Sequence, residues 1–237
     1  MDFKTALVTK GQKAGLGFTQ DQVDEFNTYC QMLLETNKVM NLTAITEPEE
    51  VAVKHMIDSL LVYTQAGFAG KTLADVGTGA GFPGIPLKLY DKTIHLTLID
   101  SLAKRLTFLE NVLKALNITD VTLVHSRAED AGQNPTLREK FQIVTARAVA
   151  NLPVLAEYCL PLTVVGGKFY ALKGHKFQEE VQEGQRAVKI LGGQIEEVRE
   201  VRLPDLEDTR AIIVIKKLKA TDKKYPRKAG TASKKPL

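Results

Sequence analysis

The feature that most constrains the fold of this chain is a glycine-rich segment that follows a short apolar stretch. The stretch is Thr72–Val76, and the segment reads Asp75-Val76-Gly77-Thr78-Gly79-Ala80-Gly81-Phe82-Pro83-Gly84. Glycines permit positive φ angles and let the backbone approach a ligand without a clash from Cβ. In a doubly wound α/β sheet, ligands bind at the carboxyl ends of the parallel strands. The segment therefore predicts a ligand-binding turn that connects a first strand to a helix.

Predicted strands and helices alternate after this turn. The strands are Thr72–Val76, His95–Asp100, Val121–Val124, Phe141–Ala146 and Gly167–Leu172, and the helices are Ile85–Tyr90, Leu102–Leu116, Leu152–Thr163 and Phe177–Leu191. Such alternation predicts right-handed crossovers and a parallel sheet with helices on both faces. The last strands, Gln194–Leu203 and Arg210–Leu218, are joined by Pro204–Thr209 without a helix, which predicts an antiparallel hairpin. The predicted fold is therefore α/β, a doubly wound sheet that is mostly parallel with an antiparallel C-terminal hairpin.

Helical patterns before the sheet predict a small N-terminal extension. Thr19 can cap a helix together with Gln22, after which apolar residues recur at helical spacing. A second helix is predicted between Glu47 and Leu61, whereas the opening residues carry only a weak signal. The predicted division of the chain is a helical extension over residues 1–70, a ligand-binding domain over residues 71–218 and a basic C-terminal tail over residues 219–237.

Charge is distributed unevenly along the chain. The formal net charge is +4 at pH 7, but residues 216–237 hold nine Lys or Arg and one Asp. In this tail Lys223, Lys224, Arg227 and Lys228 could contact phosphates, and Tyr225 could stack on a base. A basic tail on an acidic body suits a polyanionic partner, although a solubilising terminus has the same composition.

Composition excludes several classes of protein. The chain has two cysteines, Cys30 and Cys159, and four dispersed histidines, so neither a disulfide framework nor a metal site is expected. No apolar run reaches the length of a membrane span, and the opening residues lack the apolar stretch of a signal peptide. We therefore expect a cytoplasmic protein that has no membrane partner and acts as a monomer.

Two kinds of cofactor are compatible with the glycine turn. Gly79, Gly81 and Gly84 match the G-x-G-x-x-G pattern of NAD(P)-dependent oxidoreductases, a weak signal when taken alone. Asp75, however, would repel a pyrophosphate, whereas it would suit the ammonium group of a methionine moiety. Asp100, at the end of the next strand, could accept hydrogen bonds from both ribose hydroxyls. With the C-terminal hairpin, these residues favour S-adenosylmethionine and a class I methyltransferase Rossmann-like fold.

Two further strand ends carry candidate site residues. Glu129 follows the third strand, where an acidic side chain could read the adenine, although acidic residues also favour an exposed helix N-terminus. Arg147 ends the fourth strand and could orient the cofactor or a purine, or form a surface ion pair.

The residues after the fourth strand bear on the methyl acceptor. Asn151 is followed by Leu152, so the Asn/Asp-Pro-Pro-aromatic motif of exocyclic-amine methyltransferases is absent. Cys159 precedes Leu160 on an apolar helix face and is predicted to be a core residue and not a nucleophile. An acceptor such as guanine N7, which has no proton to remove, fits this pattern. A small-molecule or protein methyltransferase, and a catalytically inert RNA-binding module, stay open as alternatives.

The ordered set of motifs resembles one family, the bacterial ribosomal RNA small subunit methyltransferase G family, also called glucose-inhibited division protein B. The motifs are Asn41-Leu42-Thr43, Lys54-His55, Asp58-Ser59, Gly77 to Pro86, Asp100-Ser101-Leu102, Lys104-Arg105, Arg127-Ala128-Glu129, Thr145-Ala146-Arg147-Ala148, Ala171-Leu172-Lys173-Gly174 and Tyr225-Pro226-Arg227-Lys228. The resemblance implies methylation of N7 of one guanine in 16S rRNA, with the small ribosomal subunit or its assembly intermediate as partner.

The resemblance also implies site residues. The cofactor contacts expected from sequence and resemblance together are Asp75, Gly77, Gly79, Phe82, Asp100, Ala128, Glu129 and Arg147. Besides the tail residues, Lys54, His55 and Lys173 are candidates for the RNA-binding face, although a histidine on an amphipathic helix is more often structural. No general base is required for transfer to N7, so no catalytic residue is assigned.

Overall fold

The computed structural model describes residues 1–207 and 209–237. Its helices are α1 Phe3–Lys13, α2 Gln20–Met40, α3 Pro48–Val51, a π-helix Ala52–Ile57, α4 Asp58–Leu60, α5 Gln65–Phe68, α6 Gly84–Tyr90, α7 Ala103–Ala115, α8 Ala128–Gln133, α9 Leu152–Cys159, α10 Phe177–Ile190 and α11 Thr231–Lys234. Its strands are β1 Thr72–Val76, β2 His95–Asp100, β3 Val121–His125, β4 Phe141–Arg147, β5 Thr163–Lys173, β6 Gly193–Arg202 and β7 Thr209–Lys217.

The strands form one seven-stranded sheet in the order β3-β2-β1-β4-β5-β7-β6. β1 to β5 run parallel, whereas β7 pairs antiparallel with both β5 and β6. The predicted doubly wound sheet with an antiparallel C-terminal hairpin is therefore confirmed. Asp208, which belongs to the predicted connection Pro204–Thr209, lies outside the described residues. The order reverses direction between β1 and β4, so a crevice opens there at the carboxyl ends of the strands.

Each face of the sheet has its own hydrophobic core, because successive strand residues point to opposite faces. Leu73 and Ile212 pack on the face covered by α1, α2, α6 and α7, whereas Ala74 and Ile213 pack on the face covered by α9 and α10. Within the described ranges, every helix is too short or too polar to span a bilayer.

Some element bounds differ from those predicted. α9 ends at Cys159, whereas a helix to Thr163 was predicted, because Thr163 already pairs with Phe141 in the sheet. The second predicted helix, between Glu47 and Leu61, is interrupted by the π-helix. π-Helical segments are rare overall, but those that occur are frequently found at functional sites.

The N-terminal extension shares a core with the sheet. No strong sequence pattern predicted α1. Asp2 caps this helix, and its Phe3 and Leu7 are buried in a core shared with the rest of the extension. α2 begins with the predicted capping box of Thr19 and Gln22. Burial of one apolar stripe stabilises such helices more than their intrinsic propensity does. The extension is thus packed onto the sheet by the same cluster that contains Leu73 and Ile143 of β1 and β4.

Tyr29 of α2 joins the extension to the glycine turn. Its ring is fully buried and its hydroxyl donates a hydrogen bond of 2.5 Å to the carbonyl oxygen of Ala80. We expect Tyr29→Phe to lower the free energy of unfolding by about 1–2 kcal/mol, because a buried acceptor loses its donor. Urea denaturation of the cofactor-free protein measures this loss. Tyr63→Phe is the control, since its half-buried hydroxyl donates to Asp91, and equal losses in the two variants would contradict the prediction.

Candidate active site

The glycine turn is held against the end of the second strand. The amides of Gly77 and Thr78 donate to the carbonyl oxygen of Ile99, at 2.9 and 3.1 Å. The amide of Gly79 donates to Asp100 Oδ2 at 2.9 Å. Gly77 and Gly79 both have positive φ angles, +67° and +61°, which other residues adopt only at a cost. The predicted ligand-binding turn therefore has the backbone that its glycines were expected to permit.

Asp75 holds the turn from beneath. It is completely buried, and its Oδ2 accepts hydrogen bonds from the Thr78 hydroxyl at 2.7 Å and the Gly84 amide at 2.9 Å. Burial raises the pKa of Asp75 to about 6, although both hydrogen bonds lower it. Its Oδ1 is buried and finds no hydrogen-bond donor among the described residues. Asp75 thus stabilises the turn through these two hydrogen bonds. Its contact with a methionine ammonium stays a prediction.

A cavity of about 460 Å³, here called the cofactor cavity, lies at the carboxyl ends of β1, β2 and β3. Of the predicted cofactor residues, Gly77, Asp100, Ala128 and Glu129 line it. Asp75, Gly79 and Phe82 are not among its lining residues, and Arg147 lines its neighbour instead. The structure thus brings these four predicted residues, which come from the ends of three strands, together around one cavity.

The carboxylates of the cofactor cavity are fixed by the backbone around them. Asp100 Oδ1 accepts from the Leu102 amide at 2.9 Å, and Arg105 lies 3.4 Å from Asp100 Oδ2. Glu129 Oε1 accepts from the amide of Gly230 at 2.9 Å. Both carboxylates are at least nine-tenths buried, so their positions are set before any ligand binds.

A second cavity of about 570 Å³, here called the acceptor cavity, lies beside the first at the ends of β4 and β5. Lys54, His55, Arg147 and Lys173 are the predicted residues that line it. The two cavities share Ala148 and Val149 as a common wall.

The shared wall has an unusual backbone. Ala148 has a positive φ of +56°, and Val149 is partly exposed despite its apolar side chain. A non-glycine residue in this region of φ costs on the order of 1–3 kcal/mol and is commonest at functional sites. The strained backbone at Ala148 therefore lies at the boundary between the two cavities.

Arg147 connects the end of β4 to the π-helix. Its guanidinium donates to Asp58 Oδ2 at 2.7 Å and to the carbonyl oxygen of Lys54 at 3.2 Å. Its Cζ lies 4.8 Å from the ring centroid of Phe82, and the His55 ring stacks on the same Phe82 ring at 4.5 Å. Arg147 is therefore not an isolated surface cation, because an acid, a carbonyl and an aromatic ring fix its position.

His55 is held neutral by its surroundings. Its Nδ1 faces a donor, Nη2 of Arg147, at 3.2 Å, and its Nε2 lies 2.7 Å from the Thr43 hydroxyl. Since Nδ1 must accept, the proton is on Nε2 and is donated to Thr43. Burial, with the nearby Arg147 charge, lowers the pKa of His55 to about 3. His55 therefore acts as a structural link between the π-helix and β4.

The two candidate lysines of this face are also paired. Lys54 forms an ion pair with Glu50. Lys173 is buried, lies 2.6 Å from Glu180 and donates to the carbonyl oxygen of Ala150.

The predicted RNA-binding residues of the tail line neither cavity. Lys223, Lys224 and Lys228 are exposed, whereas Tyr225 is half-buried. Arg227 pairs with the buried Glu157, its Nη2 lying 2.6 Å from Glu157 Oε2. The tail thus divides into outward lysines and an inward arginine.

Sequence reasoning missed several residues of both cavities. Tyr158, Gly230 and Ser233 line the cofactor cavity, and Glu180 and Arg210 line the acceptor cavity. They come from helices, the C-terminal segment and an antiparallel strand, where no local motif indicates a ligand. Among the described residues, no group of His, Cys, Asp and Glu could hold a metal ion.

Comparison with known proteins gives a consistent family. Residues 22–212 match the family described as GidB, rRNA small subunit methyltransferase G. The ribosomal RNA small subunit methyltransferase G of Lactobacillus johnsonii is 53% identical over 228 residues, which are 95% of each chain.

Solved structures with low sequence identity share the fold. A mutant of the 16S rRNA (adenine(1408)-N(1))-methyltransferase from Catenulisporales acidiphilia is 17% identical with a TM-score of 0.52, covering 67% of this chain and 89% of that one. M. jannaschii TYW2 in complex with AdoMet is 14% identical with a TM-score of 0.52, covering 66% and 78%.

Gly77 packs against the shared wall of the two cavities. A Cβ on this residue would lie 2.7 Å from Cγ2 of Val149, the shared wall, and the φ of +67° would be strained. We expect Gly77→Ala to weaken binding of S-adenosylhomocysteine by about tenfold or more, since about 1.4 kcal/mol corresponds to tenfold. Isothermal titration calorimetry measures the affinity. Gly70→Ala is the matched control, because Gly70 has a φ of +66° but no neighbour within 4 Å of the added Cβ. Equal affinities in the two variants would show that Gly77 does not face the ligand.

We expect His55 to make the stability of the protein depend on pH. The pKa of His55 is lowered to about 3 in the folded protein from an ordinary 6.5. Between these values the unfolded chain binds more protons, so stability is complete above pH 6.5 and falls as the pH decreases. The contribution of His55 to this slope approaches about 1.4 kcal/mol per pH unit.

Unfolding by urea at pH 7.5 to 4.5 tests this contribution. His55→Asn is expected to give a shallower decline in stability than the wild type. His175→Asn is the matched control, because it makes the same substitution at an exposed residue that lines neither cavity. A wild-type slope in His55→Asn would mean that this imidazole protonates freely in the folded protein.

Proposed function

This chain belongs to the rRNA small subunit methyltransferase G family, and from that premise we propose that it transfers a methyl group from S-adenosylmethionine to N7 of a guanine in 16S rRNA. The observation that carries the proposal is the common wall of Ala148 and Val149 between the cofactor and acceptor cavities. Two ligands that exchange a group must lie side by side with their reacting atoms in contact.

The cofactor cavity has the chemistry that S-adenosylmethionine requires. Asp100 offers carboxylate oxygens for ribose hydroxyls, and Ala128 and Glu129 lie where a base would be read. A Cβ on Gly77 would lie only 2.7 Å from Val149 Cγ2, so glycine at this position lets Val149 pack against the turn where both residues line the cavity. The orphaned Oδ1 of Asp75, beneath the turn, supports a role for this carboxylate toward the methionine ammonium.

Phe82 and Arg147 are proposed to act on the methionine side of the site. Phe82 lies under Arg147 and beside His55, and these residues separate the glycine turn from the acceptor cavity. Gly79 contributes through its amide, which holds Asp100.

The acceptor cavity contains no free general base among the described residues. His55 is neutral, with both ring nitrogens engaged, Asp58 is paired with Arg147, and Glu180 binds both Lys173 and the Leu152 amide. Bound S-adenosylmethionine supplies an electrophilic methyl group on a sulfonium, and a guanine N7 lone pair can accept it without losing a proton. Methylation of an exocyclic amine leaves a proton to be removed, so this arrangement favours N7.

The RNA-binding surface is proposed to combine the acceptor cavity with the tail. The exposed Lys223, Lys224 and Lys228 are available to phosphates, and Tyr225 lies between them and the body. Lys54, His55 and Lys173 line the cavity and would surround the target nucleotide. Arg227 is proposed to hold the tail in place through Glu157 and not to bind RNA directly. We further propose that the protein acts as a monomer in the cytoplasm, on the small ribosomal subunit or its assembly intermediate.

The reaction is tested by incubating 30S particles and naked 16S rRNA, both lacking the modification, with the protein and methyl-labelled S-adenosylmethionine. Nucleoside mass spectrometry is expected to show N7-methylguanosine. Asp100→Ala is expected to lose most of the labelling, because the ribose would lose its acceptors. Label in another nucleoside, or none in either RNA, would overturn the proposal. Calorimetry with NADH on the same sample separates it from an oxidoreductase.

A further inference from the structure

The C-terminal segment, residues 219–237, is anchored to the body of the protein by partly buried polar contacts. The Arg138 guanidinium donates to the carbonyl oxygens of Tyr225 and Thr221, each at 2.8 Å. Gln133 donates to the carbonyl oxygen of Pro226 at 2.8 Å. These donors come from α8 and the loop that follows it, so the segment has a defined path along this side of the protein.

A buried ion pair fixes the middle of the segment. The Glu157 side chain is almost completely buried and accepts from the Arg227 backbone amide at 2.8 Å, as well as from its guanidinium. A buried carboxylate without such donors would be strongly destabilising. Arg227 is therefore a positioning residue, which directs the chain after it toward the carboxyl ends of the strands.

The end of the segment then reaches the cofactor cavity. Gly230, at a φ of +78°, donates its amide to Glu129, and the Ser233 hydroxyl lies 3.0 Å from the Tyr158 hydroxyl. Ala232 between them is completely buried in the core beneath the sheet. Gly230 and Ser233 both line the cofactor cavity.

We propose that residues 230–233 form a wall of the S-adenosylmethionine site on its adenosine side, a proposal that rests on the proposed function. Glu129 and Ala128, beside which this wall lies, are the residues assigned to the adenine end of the cavity. The Gly230 amide fixes the Glu129 carboxylate, and the Ser233 hydroxyl, 3.0 Å from the Tyr158 hydroxyl, adds a polar group to the wall. The inner side of the segment would thus contact the cofactor, and its outer side carries exposed lysines.

Binding of S-adenosylhomocysteine, measured by isothermal titration calorimetry, tests this wall. A chain that ends at Ala229 is expected to bind about tenfold more weakly than the full chain, about 1.4 kcal/mol, because the cavity loses this wall and Glu129 loses the Gly230 amide that fixes it. Ser233→Trp is expected to give a similar loss, because the indole would enter the cavity. Lys234→Trp is the matched control on the neighbouring exposed residue, and its affinity is expected to stay within about twofold, a change of about 0.4 kcal/mol.

A second measurement covers the case in which the shortened chain does not fold, as judged by circular dichroism. Hydrogen exchange of the full chain is expected to slow in residues 230–233 when S-adenosylhomocysteine binds. Wild-type affinity in both the shortened chain and Ser233→Trp, or unchanged exchange in residues 230–233, would overturn the wall. If the full chain itself bound no S-adenosylhomocysteine, the proposed function would fail instead.

Discussion

The rest of the site depends on one buried carboxylate. Asp75 accepts hydrogen bonds from Thr78 and Gly84 and so closes the glycine turn at the end of β1. A carboxylate in this position is costly to desolvate, which is why its pKa rises to about 6, and the turn supplies the donors that offset this cost. With the turn closed, the Gly79 amide meets Asp100, and the ends of β1 and β2 form one continuous surface for a ligand.

Arg147 has the corresponding structural role beside the acceptor cavity, where it holds neighbouring elements together. It joins β4 to the π-helix through the Lys54 carbonyl and His55, and to α4 through Asp58, while Phe82 links this cluster back to the glycine turn. A local charge inside a low-dielectric site is stabilised only when it is fully paired. The extension therefore lines the acceptor cavity, since its π-helix and α4 supply the partners that fix Arg147.

The arrangement of the two cavities fits the proposed reaction, which needs no general base from the protein. The common wall of Ala148 and Val149 brings donor and acceptor spaces together, and the acids of the acceptor cavity are occupied by structural pairs. Positioning and electrostatics are then the main contributions open to the protein, and guanine N7 is an acceptor for which they suffice. In this proposal the C-terminal segment contributes to both cofactor binding and RNA binding. Gly230 and Ser233 line the cofactor cavity, whereas the lysines of the same segment face solvent.

From the sequence alone, local patterns determined the alternating strands and helices, the glycine turn and the acidic residues at strand ends. These signals are short-range, because the hydrophobic periodicity of a segment and the φ preference of a residue depend on only a few neighbouring residues. The family, too, followed from ordered motifs. Only the tertiary structure decided that α1 is a helix, that Arg227 pairs inward with Glu157, and that Gly230 and Ser233 reach the cofactor cavity. Those outcomes depend on contacts between residues distant in the chain, whose partners no local pattern specifies.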